Sequence, residues 1–250
     1  MARFTDRVAI VTGAGSGLGR ATARRLADEE ALVAVVDLDE GAAGETAKGI
    51  EADGHTARPY AADVSDFGSV EAAVAAVAND LGRPQVLVNC AGVGKFGRSE
   101  EENPESWEKI VAVNLTGTFF MCRAALPHML GGGGSIVNIA SNAGLMGQMY
   151  SAAYCASKGG VVNLTRALGF EYRARGVRVN AVAPGGMNTP MINTWGFPEG
   201  ASPDDFVNIT SPLGYAEPEE VAALIAFVAS DEGRYMVGQI VSMDGGLTCG

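Results

Sequence analysis

Positive charge is scarce in this chain. Its 18 Lys and Arg face 29 Asp and Glu, for a net charge of −11. Nucleic-acid binding needs a concentrated basic surface to meet phosphates, so no nucleic-acid partner is expected. The same deficit speaks against docking on an anionic membrane surface. Long apolar runs are missing as well. None reaches the roughly 20 residues that span a bilayer, so no membrane partner is expected. Cysteine is sparse and dispersed: Cys90, Cys122, Cys155 and Cys249 form no CxxC pair. That argues against a zinc site and a disulfide framework, and for reduced thiols in the cytoplasm. The opening residues, "MARFTDRVAIVTGAG", enter a strand pattern at once, so no signal peptide is expected.

Glycine, with 34 residues, and apolar side chains, at 47%, are plentiful among the 250 positions. This is the composition of a well-cored chain with many tight turns. Seven apolar runs read as strands, near 7–13, 32–38, 56–63, 85–92, 135–141, 177–185 and 239–246. Most are continuously apolar and rich in Val and Ile, the pattern of parallel strands covered on both faces. Ala-rich segments with helical periodicity lie between them, including 65–81 and 104–129. Asn103-Pro104-Glu105 reads as an N-cap, a first-turn proline and a favourable carboxylate. The alternation predicts an α/β fold: one domain over 1–250, a doubly wound parallel sheet of about seven strands with helices on both faces. Two segments break the rhythm. "GGGG" at 131–134 predicts a flexible turn, and 187–212, rich in Pro and aromatics, predicts an irregular lid.

"VTGAGSGLG" at 11–19 closes the first strand and opens a helix. Gly13, Gly15, Gly17 and Gly19 leave the backbone bare, so a pyrophosphate can reach amide N–H groups and the positive end of the helix. Ser16 and Leu18 lie in the same loop. The second strand ends at Asp37, where a carboxylate can accept both ribose hydroxyls of an adenosine and repel a 2′-phosphate. Neither Ser16 nor Leu38, the positions that would offset this repulsion, is basic. NAD is therefore expected over NADP.

"YSAAYCASKGG" at 150–160 places Tyr154 and Lys158 at i and i+4, on one helical face. Tyr150 has no such partner. A nearby ammonium favours phenolate and so is expected to lower the Tyr154 pKa from its ordinary value near 10. A phenol so tuned can exchange a proton with an alcohol oxygen. Ser141 ends a strand where its hydroxyl would reach the same oxygen. Asn114 sits inside the 104–129 helix, an unfavourable place for Asn, and suggests a local distortion able to hold water.

With these features the chain resembles the short-chain dehydrogenase/reductase family in its compact form. "TGAGSGLG" (12–19) resembles the family's TGxxxGxG. "NCAG" (89–92) resembles NNAG, with Cys90 replacing the second Asn. Ser141, Tyr154 and Lys158 resemble the catalytic signature, and "PGGMNTPM" (184–191) the PGxxxTPM segment. The resemblance covers nearly the whole chain. It implies a Rossmann-type fold, with Tyr154 as general acid/base. Lys158 would lower the pKa of Tyr154 and bind the nicotinamide ribose, Ser141 would orient the substrate oxygen, and Asn114 would hold a relay water. It implies Asp63 and Val64 beside the adenine, and Asn89, Ala91 and Gly92 along the cofactor cleft. Pro184, Gly185, Met187 and Thr189 would complete the cofactor site, Thr189 at the nicotinamide amide. It also implies a homotetramer. No metal is expected.

Phe96, Leu145, Met149, Met191 and Trp195 fall in segments that would surround a substrate in such a fold. They suggest an apolar pocket for an uncharged secondary alcohol or ketone. Lys95 nearby would instead favour an acid. Reduction of 3-oxoacyl chains on an acidic carrier protein is an alternative, ranked lower because a strongly acidic protein suits an acidic partner poorly, although Arg175 is available. A nucleotide-binding regulator without chemistry, and a non-redox use of bound NAD, are the remaining alternatives.

Overall fold

The computed structural model describes residues 2–249. Its strands are β1 (Val8–Thr12), β2 (Leu32–Asp37), β3 (Ala57–Ala61), β4 (Pro84–Asn89), β5 (Gly134–Ile139), β6 (Val177–Pro184) and β7 (Ile240–Met243). They form one sheet in the order β3-β2-β1-β4-β5-β6-β7, each neighbouring pair parallel. The helices are α1 (Gly17–Asp28), α2 (Glu40–Ala52), α3 (Phe67–Asp80), α4 (Pro104–Val111), α5 (Gly117–Met129), α6 (Ala152–Tyr172), α7 (Pro190–Thr194) and α8 (Pro218–Ala229).

The central strands are mostly apolar because both faces are covered. Val8 and Ile10 of β1 pack with Val70 and Val74 of α3 and Met121 and Leu126 of α5. Ala9 and Val11, facing the other way, join Leu26 of α1 and Val221 and Ile225 of α8. β3 departs from this pattern, with Arg58 and Pro59 exposed. It is an edge strand, so the N–H missing from Pro59 breaks no ladder. Helix starts follow their capping residues. The Asp39 carboxylate accepts from Ala42 N at 3.1 Å, and Asn103 Oδ1 accepts from Glu105 N at 2.8 Å, with Pro104 opening α4.

Three segments refine the expectations. The helix expected over 104–129 is not uniform. α4 and α5 are joined by a π-helical stretch, Ala112–Thr116, in which Asn114 lies. This 26-residue run is long and apolar enough to cross a bilayer by length and composition. Here Met121, Cys122, Ala125, Leu126 and Met129 are buried in the core cluster on that face of the sheet, as in a core helix. In "GGGG", Gly131 and Gly133 take φ of +83° and +78°, and Gly134 begins β5. The 187–212 segment holds short α7 and a 3₁₀ stretch, Pro203–Ile209, with little other regular structure.

The chain builds β1 to β3 outward on one side, then crosses to lay β4 against the other side of β1. The connections leaving β1 and β4 therefore diverge. A crevice opens between them at the carboxyl ends of the strands, the place where open α/β sheets bind ligands.

Candidate active site

The loop after β1 is shaped by what its glycines touch. Gly13 has φ of +62°, and a Cβ there would lie 2.8 Å from Ala91 Cα, so this position brings the ends of β1 and β4 together. Gly15 N donates to Asp37 Oδ2 at 2.8 Å, and Asp39 N donates to Asp37 Oδ1 at 3.0 Å. Asp37 thus ties the glycine loop to the end of β2 while its carboxylate lines the cleft. The guanidinium of Arg20 holds the Gly15 carbonyl from behind and donates to Thr46 Oγ1 at 3.1 Å.

A cleft of about 360 Å³ runs from this loop to α6. It gathers Gly13, Ser16, Gly17, Leu18, Gly19, Asp37 and Leu38 at one end and Asp63 and Val64 along the side. Ala91, Gly92, Ser141, Tyr154, Lys158, Pro184, Gly185, Met187 and Thr189 line the remainder. Asn89 is a correction: it does not line the cleft. Its side chain is buried within the sheet, where Nδ2 donates to Asn138 Oδ1 at 2.8 Å. Lys109, Cys90, Val93 and Ile139 line the cleft and were missed from sequence. Cys90 and Val93 sit in or beside the "NCAG" stretch that pointed to the region.

Tyr154 and Lys158 share one face of α6 as their spacing required. Lys158 is buried and donates from Nζ to the Ile139 carbonyl at 2.7 Å, with Nζ 5.8 Å from the centroid of the Tyr154 ring. Gly92 leaves room beside it, since a Cβ there would lie 3.3 Å from Asn114 Oδ1 and 3.6 Å from Lys158 Nζ. Asn114 is fully buried. Its Oδ1 accepts from Val93 N at 2.8 Å, and its Nδ2 donates to the Val93 carbonyl at 2.9 Å and to Ser157 Oγ at 3.0 Å. The π-helical turn therefore braces the β4 loop against α6 with the Asn114 side chain, which is not itself part of the cleft lining.

The electrostatics correct one expectation. Loss of water pushes the Tyr154 phenol up to about 12, and the hydrogen-bonded Ser141 hydroxyl only partly opposes this. Burial likewise pushes the Lys158 ammonium down to about 8, against a small pull from Cys90. In the protein alone the Tyr154 phenol is thus held above its ordinary value and not brought towards neutrality.

A second cavity of about 560 Å³ adjoins the first, and Ser141 and Gly185 line both. Phe96 and Trp195 belong to its wall, while Met191 lines the cofactor cleft. Leu145 and Met149 are corrections: both are exposed and line neither cavity. Phe197, Phe206, Ile209 and Tyr215, all from the lid or just after it, complete the wall together with Asn142 and Gln148. The Trp195 ring packs edge-on against Tyr154 and Phe96, with centroids 4.9 and 4.8 Å away. Its indole N–H is buried without a partner among the described residues. Tyr150 lines neither cavity. Its phenol donates to Asp205 Oδ2 of the lid at 2.8 Å. Lys95 pairs with Glu102 at 3.0 Å, which neutralises the cation that would have favoured an acid.

A family model described as enoyl-(acyl carrier protein) reductase matches residues 13–248. The chain is 42% identical to meso-2,3-butanediol dehydrogenase of Serratia marcescens, over 98% of this chain and 96% of that protein. It is 41% identical to D-threitol dehydrogenase of Mycolicibacterium smegmatis, over 98% and 94% of the two chains. A crystal structure of 3-ketoacyl-(acyl-carrier-protein) reductase from Brucella melitensis, complexed with NADH, superposes with a TM-score of 0.89 at 34% identity, covering 98% of this chain and 99% of that one. Matches of this extent, on a sheet and cleft of this form, make the chain a member of the short-chain dehydrogenase/reductase family of nicotinamide-dependent oxidoreductases.

Proposed function

We propose that the protein is an NAD-dependent dehydrogenase that moves a hydride between the nicotinamide and an uncharged secondary alcohol or ketone, with Tyr154 as general acid/base. One observation carries this reading: Tyr154 and Ser141 stand where the glycine-loop cleft meets an apolar cavity.

The residues present suit the cofactor. The bare loop from Gly13 to Gly19 and the N-terminus of α1 would take the pyrophosphate. Asp37 would accept the ribose hydroxyls, and with no basic side chain at Ser16 or Leu38 it would turn away a 2′-phosphate. Asp63 and Val64 would flank the adenine. Lys158, Thr189, Pro184, Gly185 and Met187 would hold the nicotinamide end, with Ala91 and Gly92 along the cleft. When bound, the oxidised nicotinamide supplies a hydride acceptor and a positive charge beside the phenol.

Ser141 would hold the alcohol oxygen against Tyr154, whose phenolate takes the O–H proton as the carbinol C–H bond breaks. In reduction the neutral phenol returns that proton. Lys158 would lower the Tyr154 pKa together with that second positive charge, against the upward push of burial. Asn114, in the π-helical turn that braces the β4 loop against α6, would hold a water in the proton relay. Trp195 and the 187–212 lid would keep water from the reacting carbon.

The same reading extends to assembly and location. Trp107, Phe119 and Phe170 stand exposed on α4, α5 and α6, which supports a homotetramer. All four cysteines are free, in keeping with a cytoplasmic enzyme. The carrier-protein alternative draws on the Brucella structure and the family description. It ranks lower because the chain is strongly acidic and the exposed Arg175 stacks on the Tyr172 ring.

NADH production from a panel of cyclic and linear secondary alcohols, with NAD and then NADP, tests the proposal on wild type and Tyr154→Phe. Turnover by wild type with NAD, lost in a variant that still binds NADH, is expected. Comparable turnover in Tyr154→Phe would overturn the assignment of the acid/base.

A further inference from the structure

We infer that Tyr150 and Asp205 form a clasp that holds the lid closed. Tyr150 is thereby a positioning residue for Trp195 and, through it, for the alcohol enclosed beside Tyr154. The inference rests on the dehydrogenase reading above and adds to it how the lid is held.

The lid has few polar ties to the body of the protein. Between residues 190 and 210, only two hydrogen bonds among the described residues reach outside the lid. The Tyr150 phenol donates to Asp205 Oδ2 at 2.8 Å, and Arg98 Nη2 donates to the Glu199 carbonyl at 3.2 Å. The side chains of Thr194, Ser202 and Thr210 bond within the lid. Both anchors come from one place. Gly97 N donates to the Tyr150 carbonyl at 2.7 Å, and the Arg98 guanidinium carbon stands 5.5 Å from the centroid of the Tyr150 ring. Tyr150 has a φ of +60°, a left-handed conformation that disfavours a bulky side chain. Glycine would take this turn freely. A tyrosine held there against its local preference has a tertiary task, and its phenol bonds to the lid. Asp205 is oriented to receive it. The same Oδ2 accepts from Ser202 N at 3.0 Å, half of a capping box that opens the 3₁₀ stretch.

The clasp reaches the active site through packed rings. Between centroids, Tyr150 lies 5.8 Å from Phe206, Phe206 5.2 Å from Phe96, Phe96 4.8 Å from Trp195, and Trp195 4.9 Å from Tyr154. Each is a contact distance for an aromatic pair. Release of Asp205 frees Phe206, and with it one side of the wall against which Trp195 stands. Met187, Thr189 and Met191, which line the cofactor cleft, come earlier in the chain and do not hang on Asp205. The clasp therefore governs how the alcohol is enclosed and leaves the cofactor site in place.

The test uses Tyr150→Phe, Asp205→Asn, Asp205→Ala and the pair Tyr150→Phe with Asp205→Ala. In Tyr150→Phe, KM for an alcohol that wild type oxidises should rise about three- to tenfold, the worth of one half-exposed hydrogen bond. On the same scale, kcat and KM for NAD should stay within about twofold. Asp205→Asn keeps an oxygen that can accept from both Tyr150 and Ser202, and should stay near wild type. The double variant should be no worse than Asp205→Ala alone. A second readout needs no turnover. With Trp107→Phe in every protein, Trp195 is the only tryptophan, and acrylamide should quench its emission more strongly once Tyr150 loses its hydroxyl. Unchanged quenching and KM in Tyr150→Phe, or additive losses in the double variant, would overturn the clasp. So would equal falls in kcat and in NAD binding, the mark of a merely loosened fold. A wild type that oxidises no alcohol would remove the dehydrogenase reading, and the quenching comparison would then decide the clasp by itself.

Discussion

Replacing Asp37 separates two jobs that one carboxylate performs. It accepts the Gly15 amide at 2.8 Å, a charge-assisted bond worth about 1.5–3 kcal/mol in net terms. It would also face the 2′ position of a bound adenosine. A unit charge pair about 4 Å apart near a protein surface interacts by about 4 kcal/mol, and solvent and salt would halve this at a half-buried group. Roughly 2 kcal/mol of discrimination remains, or about thirtyfold against the phosphorylated cofactor. Asp37→Asn keeps an oxygen for the Gly15 amide and loses the charge, whereas Asp37→Ala loses both. We expect the ratio of kcat/KM for NAD over NADP to fall by tenfold to thirtyfold in each variant, and less steeply at high ionic strength. Asp37→Ala alone should melt noticeably earlier, because only it abandons the loop contact. A cofactor ratio unchanged in both variants would refute the electrostatic argument. A change in Asp37→Ala only would mean that loop geometry, not charge, selects the cofactor.

Three further outcomes follow from the described contacts. Oxidation needs the phenolate of Tyr154 and reduction its neutral form, so with the phenol held towards 12 by burial, kcat/KM for oxidation should rise with pH above neutrality while that for reduction does not. A pH-rate series in both directions checks the signs, and oxidation falling from pH 7 upward would exclude this base. In Gly94→Ala the new Cβ would lie 2.9 Å from Trp195 Cε2, so the indole must leave its place against Tyr154. A several-fold higher KM for alcohol and altered tryptophan emission are expected, with unaltered values for both refuting a covering role for Trp195. Arg178 donates to the carbonyls of Val228, Ala229, Ser230 and Gly233, at 2.9–3.0 Å, where α8 ends. Arg178→Ala should cost about 2–4 kcal/mol in chemical denaturation, and a loss below about 0.5 kcal/mol would show that water replaces the guanidinium freely.

Much of this architecture could be read before any coordinates. Val- and Ile-rich runs without alternation marked buried parallel strands, because a strand with helices on both sides has no polar face to display. The glycine loop and Asp37 announced themselves through spacing, since each must occupy a fixed point in the strand–turn–helix order. What stayed hidden depends on side-chain direction and on distant partners. Asn89 turns into the sheet because Asn138, 49 positions later, offers its amide oxygen there. Leu145 and Met149 lie in a segment bordering the cavity yet point to solvent, and segment membership says nothing of that. The i, i+4 spacing placed Lys158 beside Tyr154 but could not reveal that Lys158 is buried.

The π-helical turn at Ala112–Thr116 has a consequence for insertions and deletions in this chain. A wide turn holds one residue more than an α-turn does, so α4 and α5 are rotated out of phase about a common axis. Removing any one residue there would let the whole run from Pro104 settle into ideal helix, with better backbone bonding. The same shortening would swing Asn114 about a quarter-turn away from Val93 and Ser157. The β4 loop and α6 would then lose the amide that links them. A shorter chain of this kind would hold a more regular helix and a looser catalytic seat, so this stretch should tolerate substitution far better than a change in length.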